Sequence, residues 1–158
     1  MTAAPIHLEP IRVRAANSND VSLMARWAEA MALETEDKPL DADTVHRGIV
    51  AGVADPARSR YFVADVGGEP VGTMMTTFEW SDWRNAWWWW IQSVYVAPEH
   101  RRRGVYRAMF GYVTTLAKAQ GDVCGLRLYV ERENRNAMRT YEFLGMKESG
   151  YRLYELDF

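Results

Sequence analysis

The residues best suited to binding a charged ligand are a basic run and the glycine that follows it. Arg101, Arg102 and Arg103 precede Gly104, and an apolar stretch that ends at Val96 comes before them. The pattern after Gly104 is helical, so the turn would present the N–H groups and partial positive charge of a helix N-terminus. Such a turn suits phosphate, and arginines add charge-assisted hydrogen bonds. A solvated basic turn is the alternative, and the residues of a P-loop are absent.

The tryptophan, cysteine and histidine residues restrict which other kinds of site the sequence can form. Tryptophan is concentrated, since six of seven lie between residues 80 and 90, and such bulk is typical of a core or a pocket wall. Cys124 is the single cysteine, which excludes an intramolecular disulfide and a cysteine-rich zinc site. The three histidines are scattered without metal-ligand spacing, so we expect no metal.

The elements that must position these residues follow from apolar periodicity and turn signals. The stretch 87–96 is apolar or aromatic at nearly every position, which is typical of a central strand covered on both faces. The predicted strands are 11–14, 61–66, 71–78, 87–96, 125–131 and 151–158, and the predicted helices are 21–34, 44–53, 105–120 and 134–144. This order predicts an α/β (α+β) fold, a mixed central sheet of about six to seven strands with helices on both faces.

Composition sets the class of protein. The length predicts a single domain over 1–158, and the net charge of −2 argues against a dedicated nucleic-acid binder. The longest apolar run, 86–91, is far shorter than the roughly 18 residues of a membrane-spanning helix. The first ten residues have no pattern of a signal peptide, so the sequence predicts a cytoplasmic protein without membrane partners.

Two segments together resemble the GCN5-related N-acetyltransferase (GNAT) superfamily. Residues 94–106, VYVAPEHRRRGVY, are similar to its acetyl-CoA signature, Gln/Arg-x-x-Gly-x-Gly/Ala, at the end of a strand and the start of a helix. Residues 134–146, NRNAMRTYEFLGM, are similar to its second signature. The predicted element order matches the family over essentially the whole chain. One departure is Tyr106, which stands where the family usually has Gly or Ala; its side chain is expected to point away from the pyrophosphate.

The resemblance implies acetyl-CoA as co-substrate and a set of residues that bind it. In the family, a bulge separates the central strand from its parallel neighbour, and the pantetheine arm lies in the gap. The implied backbone contacts to the acetyl-pantetheine come from Val94, Tyr95 and Val96, and an N–H near Val94 or Val96 would stabilise the oxyanion. The implied pyrophosphate site comprises Arg101, Arg102, Arg103, Gly104, Val105 and Tyr106. Asn134 would bond the pantetheine, and it could equally cap the last helix.

Two residues are candidates for moving protons. Tyr141 resembles the family's general acid, which protonates the departing CoA thiolate; a core tyrosine is the alternative. Glu79 is the candidate general base, because Phe78 and Trp80 flank it and apolar surroundings raise a carboxyl pKa. A surface carboxylate at a strand end is the alternative for Glu79, and Asp82 and Gln92 are weaker candidates.

The implied reaction is acetyl transfer to a primary amine by direct attack in a ternary complex. A non-catalytic CoA-binding sensor or interaction domain of the same fold is the alternative. The acceptor is expected to be a small-molecule or peptide amine, and a homodimer is a possibility by family analogy. Acidic residues between 34 and 37 and the tryptophans Trp80, Trp83 and Trp87 could bind a cationic amine, although core packing and a solvated loop explain them as well.

Overall fold

The computed structural model describes residues 9–158. The first eight residues, most of the segment for which the sequence predicts no signal peptide, lie outside the described residues. The chain divides into two compact units, one that ends at Leu128 and one from Tyr129 to Phe158, and each is described by itself. The single-domain expectation stays a prediction.

The first unit contains one five-stranded sheet. Its strands are β1 (Ile11–Ala15), β2 (Arg60–Val66), β3 (Glu69–Ser81), β4 (Ala86–Val96) and β5 (Val123–Arg127). They lie in the order β1-β2-β3-β4-β5, antiparallel except for the parallel pair β4-β5. The mixed sheet is therefore confirmed, with five strands in the described residues instead of six to seven.

Helices pack on both faces of this sheet, as the sequence predicts. The helices of the first unit are α1 (Val21–Glu36), α2 (Ala42–Ala54) and α3 (Val105–Gln120). Phe62 and Ala64 of β2 belong to the core under α3, whereas Val63 between them belongs to the core under α1 and α2. This alternation is the period of two that a strand imposes. No helix among the described residues is long and apolar enough to cross a membrane.

Two predicted strands differ from the structure. The strand predicted over 125–131 is β5, Val123–Arg127, and it ends four residues earlier than expected. The closing strand predicted over 151–158 is not found among the described residues. Tyr151, Tyr154 and Phe158 are exposed there, so the segment has neither a buried face nor a strand partner to hold an extended backbone. The second unit contains α4 (Arg135–Phe143) as its one helix within the described residues.

Arg14 ties β1 to β2 and to the beginning of α1. Its guanidinium donates to Asp20 at 2.8 and 2.9 Å and to Asp65 at 2.8 Å. Asp20 is buried, and it also accepts from the backbone N–H of Asn17 in a capping box. The hydrogen bonds from Arg14 hold the pKa of Asp20 below its ordinary value, although burial acts in the opposite direction.

We expect Asp20→Asn to lower the free energy of unfolding by about 2 kcal/mol at pH 7, because it removes one of the two carboxylates that pair with the partly buried guanidinium of Arg14. Since the folded-state pKa of Asp20 is lowered, its stabilisation is present above the unfolded pKa of about 3.9 and is lost as the pH falls through the folded pKa. Urea titrations at pH 7 and pH 3 measure this. Glu36→Gln, at the exposed end of α1, is the control. A wild-type advantage that persisted unchanged at pH 3 would contradict the assignment.

Candidate active site

Strand β4 contains a β-bulge at Ser93. Thr73 pairs with Tyr95 and Met75 pairs with Gln92, so β4 uses one residue more than β3 over this stretch. Ser93 has a φ of 48°, a left-handed conformation that costs a non-glycine residue about 1–3 kcal/mol. The extra residue shifts the side-chain alternation of β4 by one position. Each side chain after it therefore lies on the opposite face of the sheet from the one it would otherwise occupy. Tyr95 therefore faces the α1 side of the sheet.

Strands β4 and β5 part just before this bulge. The last parallel pair is at Trp90, and no residue of β4 beyond it pairs with β5. The N–H of Ala97 donates to Val71 O of β3 at 2.9 Å. Because successive N–H groups of a strand point in opposite directions, those of Val94 and Val96 point away from β3, into the opening between the strands.

Tyr95 is placed differently from its two neighbours. Its carbonyl oxygen lies toward β3, where a Cβ built on Gly72 would be 3.0 Å from it. Its ring stacks on Trp27 of α1 at 5.8 Å, and its hydroxyl donates to Glu34 at 3.3 Å. Burial, and then the charge of Glu34, raise the pKa of Tyr95. Of the three residues predicted to contact the pantetheine, Tyr95 is thus the one whose backbone polar groups point toward β3 and away from the strand opening.

The turn between β4 and α3 has room beside the helix N-terminus. Gly104 is the N-cap residue, with a φ of 87° and no side chain to cap the helix. A Cβ built on Gly104 meets nothing within 4 Å. Arg102 is also left-handed, at a φ of 63°, and Arg102 and Arg103 are exposed. This backbone geometry and open space fit a pyrophosphate group.

The Arg101 side chain is directed away from that space. Its Nε donates to Val96 O at 2.8 Å, and its Nη2 donates to Glu34 at 2.7 Å. Its guanidinium also lies 5.4 Å from the centre of the Tyr95 ring. Arg101 therefore ties the turn to α1. The side chains of Val105 and Tyr106 pack against the core under α3, so both residues offer their backbone groups to the turn.

Glu79 lies in a cluster that joins three strands. Its carboxylate accepts from Arg127 of β5 at 2.7 Å and from the indole N–H of Trp90 of β4. The Arg127 guanidinium is stacked 4.0 Å from the centre of the Trp88 ring. Trp90 and Arg127 form the last pair before β4 and β5 part. The cluster therefore closes the narrow end of the opening, about 10 Å from Ser93 at the usual strand rise.

The second unit contains the other two predicted site residues. The Asn134 side chain accepts from the N–H of Ala137 at 3.1 Å, so it caps α4, as the sequence predicts. Tyr141 lies on α4, and burial raises the pKa of its phenol. The phenol is therefore neutral over the physiological range, the state that a general acid needs.

A cavity of about 340 Å³ lies between α1, α2 and the sheet. Its lining is largely apolar, from Met24, Met31, Val45 and Ile49 of the helices and Ser93 and Tyr95 of β4. Because Ser93 is both the bulge and part of this wall, the cavity reaches the point where β4 turns away from β5.

The sequence did not identify this cavity. The signals present were the methionines on the buried stripe of α1 and the polar pair Gln92-Ser93, which interrupts an otherwise apolar strand. The tryptophans considered for an acceptor site, Trp80, Trp83 and Trp87, are exposed near the β3–β4 turn and do not line it. Trp89 is the one buried in the core, edge-to-face on Phe78.

A central strand that bulges and parts from its parallel neighbour, followed by a glycine turn and a helix, is the arrangement that the resemblance to the GNAT superfamily implies. Comparison with family profiles matches residues 22–146 to the acetyltransferase (GNAT) family. A possible acetyltransferase from Clostridium difficile 630 is 41% identical, with 95% of this chain and 99% of that chain covered and a TM-score of 0.88. The chain belongs to the GNAT family, and it is an acetyl-CoA-dependent N-acetyltransferase.

More distant solved structures share the fold. A predicted acetyltransferase with acetyl-CoA from Clostridium acetobutylicum has a TM-score of 0.76 at 18% identity, over 94% of this chain and 96% of that chain. AAC(6')-Iy in complex with a bisubstrate analogue, CoA-S-monomethyl-acetylneamine, has a TM-score of 0.74 at 14% identity, over 94% and 98%. Among curated proteins, no significant match was found. The described residues contain no group of three His, Cys, Asp or Glu side chains that could hold a metal ion.

Proposed function

We propose that the protein transfers the acetyl group of acetyl-CoA to a primary amine by direct attack within a ternary complex. The observation that carries this proposal is Ser93, which forms the bulge beside the strand opening and also lines the cavity. Two substrates that enter from the opening and from the cavity would meet at this residue. Direct attack then needs no covalent enzyme intermediate, and proximity supplies much of the rate enhancement.

Acetyl-CoA, when bound, supplies a thioester carbonyl as the electrophile. The N–H groups of Val94 and Val96 point into the strand opening, where they would hold the pantetheine arm and polarise that carbonyl. The backbone from Arg101 to Tyr106 would bind the pyrophosphate, with the exposed side chains of Arg102 and Arg103 adding charge. Asn134 would contact the pantetheine while its oxygen caps α4.

Tyr141 would protonate the CoA sulfur as the thioester C–S bond breaks. Its raised pKa keeps the proton on the phenol until the thiolate, a stronger base than the thioester sulfur, develops. The proton leaves the amine nitrogen as the new amide bond forms. A residue that accepts this proton, directly or through water, must face the bulge.

Glu79 is the predicted general base, but its contacts favour a positioning role. It already bonds Arg127 and Trp90, and it holds β5 against β4 where the two strands part. We expect Glu79→Gln to lower kcat/KM by the same factor, about 10-fold, at every pH from 6 to 9. Rate profiles over this range measure it. A loss that shrinks steadily as the pH rises, because the neutral fraction of an amine with a pKa of about 10.4 grows, would instead establish Glu79 as the base.

Initial-rate kinetics with a panel of primary amines test the proposed function. Release of free CoA thiol should depend on both substrates, with intersecting double-reciprocal lines, and mass spectrometry should find an amide product 42 Da heavier than the amine, the mass that acetylation adds. Parallel lines, typical of a ping-pong mechanism, would contradict direct attack. Absence of amine-dependent thiol release across the panel would contradict the proposed function itself.

A further inference from the structure

Among the described residues, no charged side chain lines the cavity beside Ser93. Most of the polar side chains in the lining are already hydrogen-bonded or are uncharged. The Thr73 hydroxyl donates to Phe62 O at 3.1 Å, so its hydrogen is already bonded within the sheet. Tyr61 presents a neutral phenol, because burial raises its pKa. A ligand in this space therefore meets mainly methyl, thioether and aromatic groups, together with the uncharged hydroxyls of Ser93 and Tyr61.

The carboxylate that approaches the cavity wall is already occupied. Glu34 accepts from Arg101 at 2.7 Å and from the Tyr95 hydroxyl at 3.3 Å. A second ammonium group on a bound amine would thus find no free counter-charge in the lining, and an unpaired charge is expensive to bury. The volume of about 340 Å³ is near the lower end of the usual range for ligand pockets, about 300–1,000 Å³, so it suits a small molecule.

We infer that the acceptor is a small primary amine whose remaining part is apolar, with the nitrogen at Ser93 and the apolar part between α1 and α2. This inference rests on the proposed function and names its substrate class. Met24 and Met31 are flexible thioether side chains that adapt to apolar groups of different shape. Polycationic amines are excluded by the same lining, because it offers them no anion.

Gly48 allows the cavity to be filled by one substitution. It lies on α2 in the lining, it is exposed, and a Cβ built on it meets no atom within 4 Å, so a larger side chain fits at this open side of the cavity without a clash. Gly111 lies on α3, is exposed, and also has nothing within 4 Å of a built Cβ. Gly48→Leu and Gly111→Leu therefore make the same change at an exposed helical position, in the first case within the cavity lining and in the second case away from it.

The test compares n-hexylamine with 1,5-diaminopentane, which has the same number of heavy atoms but ends in a second ammonium group. We expect kcat/KM for n-hexylamine to be about 100-fold higher. From n-butylamine to n-hexylamine, kcat/KM should rise about fourfold per methylene. Gly48→Leu should abolish this rise, whereas Gly111→Leu should keep it. Equal rates for the two amines, or a chain-length series that Gly48→Leu leaves unchanged, would overturn the inference.

A binding measurement separates failure of this inference from failure of the proposed function. In NMR titrations without acetyl-CoA, n-hexylamine should shift the methyl signals of Met24 and Met31 in the wild type and in Gly111→Leu, but not in Gly48→Leu. Transfer to 1,5-diaminopentane in preference to n-hexylamine would overturn the acceptor class while the transferase function stood. No shift of these methyl signals would overturn it as well, whatever the activity.

Discussion

Tyr141→Phe is expected to lower kcat about 100-fold or more, the usual effect of removing a general acid, while the Kd for acetyl-CoA changes by less than about twofold. The substitution keeps the ring and removes only the hydroxyl that would protonate the sulfur. Because burial raises the pKa of Tyr141, the wild-type kcat should decline only above the ordinary tyrosine value of about 10, and the variant should lack that decline. Steady-state kinetics and calorimetry measure both quantities.

Tyr151→Phe is the matched control for this variant, since Tyr151 belongs to the same unit and is 79% exposed. It should retain wild-type kcat. A Tyr141→Phe variant that binds acetyl-CoA weakly but keeps its kcat would show that the hydroxyl serves the structure of the site. A variant with unchanged kcat and Kd would remove Tyr141 from the mechanism.

Gly104→Leu is expected to weaken acetyl-CoA binding about 10- to 100-fold, the cost of losing one hydrogen bond to a charged group. The open space beside Gly104 is where the pyrophosphate would lie, and a leucine side chain would occupy it. The φ of 87° also strains any residue with a Cβ, so the Tm should fall by about 4 °C.

The Gly121→Leu variant separates the two expected effects of Gly104→Leu, which are weaker acetyl-CoA binding and lower stability. Gly121 ends α3 with a φ of 80°, and a Cβ built there also meets nothing within 4 Å. The two variants should therefore lose similar stability, while only Gly104→Leu weakens binding. Equal Kd values for both variants would move the pyrophosphate away from the α3 N-terminus.

Much of the sheet could be predicted because its residues obey local rules. The apolar stretch that became β4 is an interior strand of the sheet, paired with a neighbour on each side, and Gly104 and Gly121 mark both ends of α3. Prediction failed where the local pattern was ambiguous. Residues 151–158 are rich in Tyr and Leu, as many strands are, but alternation does not show whether a neighbouring strand exists.

The site was predictable where it depends on backbone and motif. The N–H groups of Val94 and Val96 face the strand opening, and Gly104 is left-handed at the start of α3, because N–H direction follows from strand alternation and a positive φ from glycine; their role in binding stays a prediction. Side-chain partners across the fold were not predictable. The ion pair of Arg101 with Glu34 and that of Glu79 with Arg127 join residues far apart in sequence, and no local pattern encodes them.

The bulge and the cavity could not be predicted from the sequence either, because each depends on how several elements pair or pack. Ser93 adopts a left-handed φ because β3 and β4 differ by one residue in register, a property of two strands together. The cavity forms from α1, α2 and three strands, so its volume depends on how these elements pack. Apolar periodicity predicts the helix over 21–34, but it does not distinguish a filled core from a pocket.

Calorimetric titration of the wild-type protein with acetyl-CoA tests the central claim most directly, because the strand opening and the Gly104 turn are both assigned to this one ligand. We expect one molecule to bind per chain with a Kd between about 1 μM and 1 mM, the usual range for enzyme substrates. The Gly104→Leu variant should bind at least about tenfold more weakly. No heat of binding at millimolar acetyl-CoA, from a protein shown to be folded, would contradict the account.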